Sequence, residues 1–291
     1  MESKKEIYDL IPKIYYPATI YPNITDNISH VIAILKKNNM AYPLIAKPDI
    51  GLRGIAVQKL ENDTDLQAYI AQNKVEYMIQ DYVAYENEIG VFYVRFPNST
   101  KGFITGIVLK EFLIIVGDGI STLETLICKD PRYLMQLPVL QEMYGEKLQI
   151  ILPQGEKKNL VPYGNHSRGA KFLDISEKIS PKLTNTFNEI CLQIPHFYFG
   201  RLDIKYNTWE ELEAGKSLSI IELNGAASEP THMYDPKHSL FFAWKEIIRH
   251  WDLLYKVSKM NQEQGFKYLT FSETKNMLRE HKALMSEISR R

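Results

Sequence analysis

The feature that most constrains this chain is a pair of apolar segments that carry carboxylates where a core favours carbon. Residues 197–206 contain Arg201-Leu202-Asp203-Ile204-Lys205, and residues 218–223 run through Ile220-Ile221-Glu222-Leu223 into Asn224. Both read as strands, being rich in β-branched and aromatic residues between turn formers. Strand side chains alternate, so Arg201, Asp203 and Lys205 share one face, and Glu222 and Asn224 share one face of the next strand. Pairing across the connection 207–217 is predicted to bring Asp203, Glu222 and Asn224 together. Two carboxylates and an amide oxygen form a hard-oxygen set suited to magnesium or manganese, not to zinc or copper. A buried cluster of this kind is costly unless a metal ion or an Arg balances it. The bland alternative is a pair of surface strands with polar faces. Against it, Ile220, Ile221 and Leu223 read as interior residues, which turns the polar residues toward a cleft.

The rest of the chain sets that pair in context. The 291 residues are 45% hydrophobic and 24% charged, values of a globular chain rather than a disordered one. That length predicts one large domain or two small ones. Lys plus Arg and Asp plus Glu both number 35, so neither nucleic acid nor a membrane surface is expected as a partner. No apolar run approaches the ~20 residues of a membrane span, and Met1–Glu6 has no signal-peptide character. Cys128 and Cys191 are too few for a disulfide framework or a four-thiolate zinc site. A cytoplasmic chain is therefore expected, and the sequons at Asn23, Asn98 and Asn165 carry no weight. Nothing in the sequence sets the oligomeric state, a homodimer among the options.

Four segments are expected from the pattern: an irregular N-terminal arm (1–25), a small α+β lobe (26–84), a larger strand-rich lobe (85–260) and a charged helical tail (261–291). In the small lobe, Ile28, Val31, Ile32 and Leu35 mark a helix over 26–39 with Asp26 as N-cap. Strands are predicted at 44–47, 55–59 and 75–80, with a helix at 64–72. In the large lobe, strands at 88–95, 103–110 and 112–116 with short connections suggest an antiparallel sheet. A short helix follows at 122–128, capped by Ser121, and longer ones cover 178–193, 237–260 and the stretch from 272.

Two weaker constellations precede the carboxylate pair. Lys47 ends a strand beside the loop Asp49-Ile50-Gly51-Leu52-Arg53-Gly54. A Lys point charge and close-approaching glycine N–H groups can hold phosphate oxygens, with Arg53 adding to them. An ordinary hairpin with surface charges is the alternative, and no P-loop motif is present. Gln80-Asp81-Tyr82-Val83 ends a strand and turns into a linker that can offer backbone groups to a purine edge. Glu88, a few residues on, can accept ribose hydroxyls, or it is simply a solvated acid. Gly117-Asp118-Gly119 lacks the remaining parts of a nucleotide fingerprint and reads as a turn. His166, with Arg168 and Lys171, suits an anion-facing loop.

In this order the motifs resemble the ATP-grasp superfamily, in particular its D-alanine–D-alanine ligase-like, carboxylate–amine ligase branch. Ile45-Ala46-Lys47-Pro48-Asp49-Ile50-Gly51 is similar to the lid strand and glycine loop. Ile79-Gln80-Asp81-Tyr82-Val83 is similar to the hinge strand, and Glu88-Ile89-Gly90-Val91 to the ribose-binding strand. Gly200-Arg201-Leu202-Asp203 and Ile221-Glu222-Leu223-Asn224 resemble the Arg-x-Asp and Glu-x-Asn strands. The resemblance covers about residues 4–235. It implies an α+β fold of two lobes clamping ATP, without most of the usual N-terminal α/β domain. It also implies site roles. Lys47 and Lys5, or its neighbour Lys4, would contact phosphates, and the loop at Gly51 and Gly54 would cover them. Gln80, Asp81 and Val83 would line the adenine, and Glu88 would bind ribose. Asp203, Glu222 and Asn224 would hold Mg2+ or Mn2+, and Arg201 would stabilise developing charge. The implied activity is ATP-dependent ligation of a small-molecule carboxylate to an amine or thiol through an acylphosphate. A small-molecule kinase, or a nucleotide-binding module that needs another subunit, are the rival readings.

Overall fold

The computed structural model describes residues 3–51, 54–160 and 170–288. In chain order the first elements are α1 (Lys4–Leu10), β1 (Thr19–Ile20), α2 (Ile28–Lys37), β2 (Leu44–Pro48), β3 (Gln58–Leu60), α3 (Asp63–Gln72) and β4 (Tyr77–Asp81). Next come β5 (Asn87–Arg95), β6 (Gly102–Glu111), β7 (Ile114–Val116), α4 (Leu123–Cys128), α5 (Pro131–Leu134), α6 (Leu137–Tyr144), β8 (Lys157–Asn159) and β9 (Lys171–Asp174). The chain ends with α7 (Pro181–Leu192), β10 (Phe199–Tyr206), α8 (Trp209–Glu213), β11 (Leu218–Asn224), α9 (Leu240–Glu263) and α10 (Phe271–Ile288).

A four-stranded sheet, order β1-β4-β2-β3, carries α2 and α3. Val31, Leu35, Leu66 and Tyr69 bury against Leu44, Ala46 and Ile79. A second sheet, order β11-β10-β5-β6-β9, is antiparallel throughout. One of its faces packs on α7 through Leu183, Phe187, Ile190 and Cys191, which meet Val91, Tyr93, Ile107 and Leu202. The other face is divided. Phe92, Val94 and Phe199 lie under Val257 of α9, and the remainder of the same strands is polar. A third cluster packs α4 and α6 on Ile115 of β7 and on Leu160, the residue after β8.

Several local expectations are corrected. The first residues are not an irregular arm, since Ser3 caps α1 by accepting from the Glu6 N–H. α2 is capped by Asn27 rather than Asp26, whose carboxylate instead accepts from the Asn23 N–H and pairs with His30. Thr122, not Ser121, caps α4, while Asp118 accepts from the backbone of Ile120 and Ser121. The strand expected at 55–59 shortens to Gln58–Leu60, because Gly54 and Ala56 take positive φ and turn the chain. The helices between 131 and 144 carry little periodicity, and the sequence pattern does not mark them.

Candidate active site

The two strands with misplaced carboxylates are neighbours, and the register sets Asp203 opposite Glu222 and Arg201 opposite Asn224. Between Asp203 and Ile204 the register shifts, leaving Ile221 as an extra residue on β11. A bulge frees backbone groups from the ladder. Here the Ile221 carbonyl accepts from the Tyr8 hydroxyl at 2.5 Å and from Lys47 Nζ at 3.1 Å. Lys47 Nζ also donates to the Tyr8 hydroxyl at 3.1 Å. Strand β2, helix α1 and the acidic strand β11 therefore meet at one atom, one residue from Glu222. Ile221 itself is half-buried rather than interior as expected, a consequence of the bulge.

On β10 the buried Asp203 receives Arg201 Nε at 2.9 Å and Lys110 Nζ at 3.0 Å. Lys110 also bonds Glu88 at 2.8 Å, and all three side chains have almost no solvent contact. Burial raises the Asp203 carboxyl, but Arg201 and Lys110 outweigh it and hold the group below its ordinary value. Burial likewise opposes the Lys110 ammonium, and Asp203 and Glu88 prevail to raise it. Lys47 differs: burial dominates and lowers it to about 8, with Glu222 acting in the opposite direction. Lys205 is lowered by burial and donates to the Tyr85 carbonyl at 2.9 Å, tying down the linker between the two sheets. Gly90 completes this face: a Cβ there would lie 2.9 Å from Val108 and 3.0 Å from the Asp203 carboxylate, so the Arg201–Asp203 pair needs a glycine beside it.

Other expected residues are distributed around this centre. Gln80 is buried and donates to the Thr19 hydroxyl at 2.8 Å. Asp81 is half-buried and raised by burial, and Val83 is half-buried on the linker. Gly51 lies near Pro48 with room for a Cβ, and Gly54 turns the loop. Lys4 Nζ reaches the carbonyls of Asp49 and Gly51 at 3.1 and 3.4 Å, whereas Lys5 Nζ lies 5.4 Å from the centre of the Tyr21 ring. Of the two, the Lys4 ammonium is therefore the one beside the glycine loop. Lys171 pairs with Glu111 at 3.9 Å. Arg53, His166 and Arg168 lie outside the described residues.

Sequence reasoning missed Lys110 and Tyr8. Lys110 has the same parity as Gly106 and Val108 on β6, yet a Lys at a strand end reads as a solvent residue. Tyr8 sits in a stretch expected to be irregular. No motif marked either one.

Among the described residues, Lys110, Lys205 and Arg201 of the five-stranded sheet and Lys47 of the smaller sheet stand with the carboxylates of Glu88, Asp203 and Glu222. Glu88 Oε2 and Asn224 Nδ2 are buried there without a hydrogen-bond partner among the described residues. Such a face suits a polyanion accompanied by a divalent cation. Asp203, Glu222 and Asn224 provide hard oxygens for that cation, although Asp203 is engaged by Arg201 and Lys110 as it stands. Among the described residues no group of three or more His, Cys, Asp or Glu side chains is placed to hold a metal, so any such site needs the amide of Asn224.

No family model matches the chain, and no curated protein matches it. Solved structures do. The D-alanine–D-alanine ligase of Bacillus anthracis matches with TM-score 0.50 at 13% identity, over 91% of this chain and 69% of that one. A D-Ala:D-Ser ligase of Enterococcus faecalis matches with TM-score 0.48 at 13% identity, over 89% and 61%. A bifunctional glutathione synthetase of Pasteurella multocida matches with TM-score 0.40 at 15% identity, over 86% and 35%. The chain thus spans less than two thirds of the last two proteins.

Proposed function

We propose that this chain, whose fold is that of the ATP-grasp ligases, is an ATP-dependent carboxylate–amine ligase. The observation that carries the reading is the contact of the lid ammonium of Lys47 with the Ile221 carbonyl, 3.1 Å away and adjacent to Glu222. It puts a lid cation over the strand that bears the carboxylates, where a triphosphate needs both. In this reading Lys47 and Lys4 or Lys5 bind phosphate oxygens under the loop at Gly51 and Gly54. Gln80, Asp81 and Val83 border the base, and the orphaned Glu88 Oε2 accepts a ribose hydroxyl.

A substrate carboxylate attacks the γ-phosphoryl group, and ADP leaves. An amine then displaces phosphate from the resulting acylphosphate. Two anions must approach each other in the first step, so charge neutralisation dominates it. Lys47 supplies that charge from the lid, and Arg201, steered by Asp203, supplies it from the sheet. Asp203, Glu222 and Asn224 would hold Mg2+ or Mn2+, which adds charge neutralisation and orients the phosphates. Closure of the lid over the sheet keeps water from the acylphosphate.

The test is an ADP-release screen of small carboxylates paired with amines, with mass spectrometry of the products. Amide product with free phosphate is expected. E222Q, at a half-buried position, should abolish ADP formation while the thermal melt is retained, and D203N should abolish it too. Near-normal ADP release from either variant rejects the metal assignment. A stable phosphoester product would make the protein a kinase, and stoichiometric nucleotide uptake without turnover would make it a binding module.

A further inference from the structure

Helix α9 carries an apolar stripe that the nucleotide site does not use. Phe241, Trp244, Ile248, Trp251 and Tyr255 recur at spacings of three, four, three and four, which aligns them on one side of a helix. Phe241 is 77% exposed, Ile248 70%, Trp251 73% and Tyr255 64%. The opposite side of the helix is the one that packs, through the buried Glu246, His250 and Val257. Among the described residues nothing covers the stripe. Apolar residues this large and this regular are not scattered surface exposure.

We propose that the stripe is the interface of a two-fold dimer in which α9 pairs antiparallel with α9 of a second copy. Three observations select a second copy over another partner. The stripe reads nearly the same from either end: aromatic, Trp, Ile, Trp, aromatic. A two-fold axis near Ile248 sets Phe241 beside Tyr255 of the second copy and Trp244 beside its Trp251, the self-complementarity an isologous interface requires. The charges obey the same symmetry. Lys245 and Asp252 flank the stripe on one side, seven residues apart about its centre, so Lys245 of each copy lies beside Asp252 of the other. Asp252 is also bonded by Lys256 at 2.6 Å, which fixes its carboxylate. The area is sufficient too. Four aromatics at half to three-quarters exposure, each presenting roughly 150–250 Å² when bare, together with Leu240 and Ile248, approach the ~800 Å² per partner of a standard interface.

Sedimentation velocity of the full chain across the micromolar range tests this. The expected species has twice the 33.8 kDa chain mass. Ile248→Glu places a carboxylate at the symmetry axis and should weaken association by about 100-fold or more. It should leave the far-UV circular-dichroism spectrum unaltered, because the side chain is 70% exposed and outside the core. Lys245→Glu and Asp252→Lys should each weaken the dimer about tenfold, and the double exchange should restore it to within about threefold. A monomer at the highest concentration, a dimer indifferent to Ile248→Glu, or charge exchanges whose losses add would each overturn the proposal. A monomer with Trp244 and Trp251 emission already blue-shifted at every dilution would overturn it as well, by assigning the cover to α10 of the same chain.

Discussion

Replacing Lys110 by Met tests the electrostatic floor of the site. The ammonium bridges Glu88 at 2.8 Å and Asp203 at 3.0 Å, and the three side chains are 5%, 1% and 3% exposed, so solvent screening is negligible. Met keeps the apolar stem and removes only the charge. Asp203 retains Arg201 at 2.9 Å, whereas among the described residues Glu88 keeps only the charge of Lys205, and its Oε2 has no hydrogen bond. Removing one member of a buried ion pair costs about 3–5 kcal/mol, because the other is left charged and desolvated. At about 2–4 °C per kcal/mol for a chain of this size or somewhat smaller, Tm should fall by roughly 10 °C. The pH profile carries the sharper test. In the wild type the depressed Asp203 value gives stability that is present above the ordinary carboxylate pKa and is lost as pH falls below about 4. The raised Lys110 value gives stability that is present below 10.5 and is lost only as pH rises beyond it. In the variant Asp203 keeps Arg201 alone and loses part of that depression, so the deficit should be largest near pH 7–8 and shrink toward pH 4. Adding Glu88→Gln should recover about 1–2 kcal/mol of the loss in a double-variant cycle. Urea titrations of the four proteins from pH 4 to 8 measure all of this. A loss below about 1 kcal/mol at pH 7, or one independent of pH, would mean that Lys110 does not stabilise the buried carboxylates.

Lys47, lowered by burial to about 8, should make stability rise between pH 8 and 10.5, since only the unfolded chain holds the proton there. Urea midpoints for the wild type and Lys47→Met should diverge across that window, and parallel curves would mean that Lys47 is not desolvated in the native state. Gly90→Ala should cost about 1–3 kcal/mol and depress ADP release, because its Cβ meets Val108 at 2.9 Å and Asp203 at 3.0 Å. Gly51→Ala, whose Cβ is 3.6 Å from Pro48, should have little effect on stability in the same melt. His250, buried against Thr105 and lowered to about 4 chiefly by desolvation, should remove stability as pH falls from 6.5 toward 4. A thermal-melt series in which His250→Gln leaves that acid limb unaltered would contradict this.

Much of the fold was legible because it rests on local pattern. The spacing of Val31 and Leu35, the alternation along 88–95 and 103–110, and the apolar face of 181–192 each follow from a residue's own period. The carboxylate pair was legible for a related reason: strand parity alone puts Arg201 and Asp203 together, and a short connection to Glu222 makes the two strands antiparallel neighbours. The N-caps lie one residue beyond the expected Asp26 and Ser121, at Asn27 and Thr122, where adjacent polar residues can accept from the same backbone donors. The three short helices α4, α5 and α6 hold a cluster of their own, yet α5 and α6 have too few turns to show a period.

Local pattern thus accounts for the longer elements, the strand faces and the Arg201–Asp203 and Glu222–Asn224 pairs, all functions of neighbours two to four positions apart. Only the tertiary structure decided which cations meet those acids. Lys110 is 93 residues from Asp203, Tyr8 is 213 residues from Ile221, and the receiving carbonyl exists because β11 bulges. Those contacts are set by sheet order, register and the balance between desolvation and ion pairing, none of which has a period in the chain.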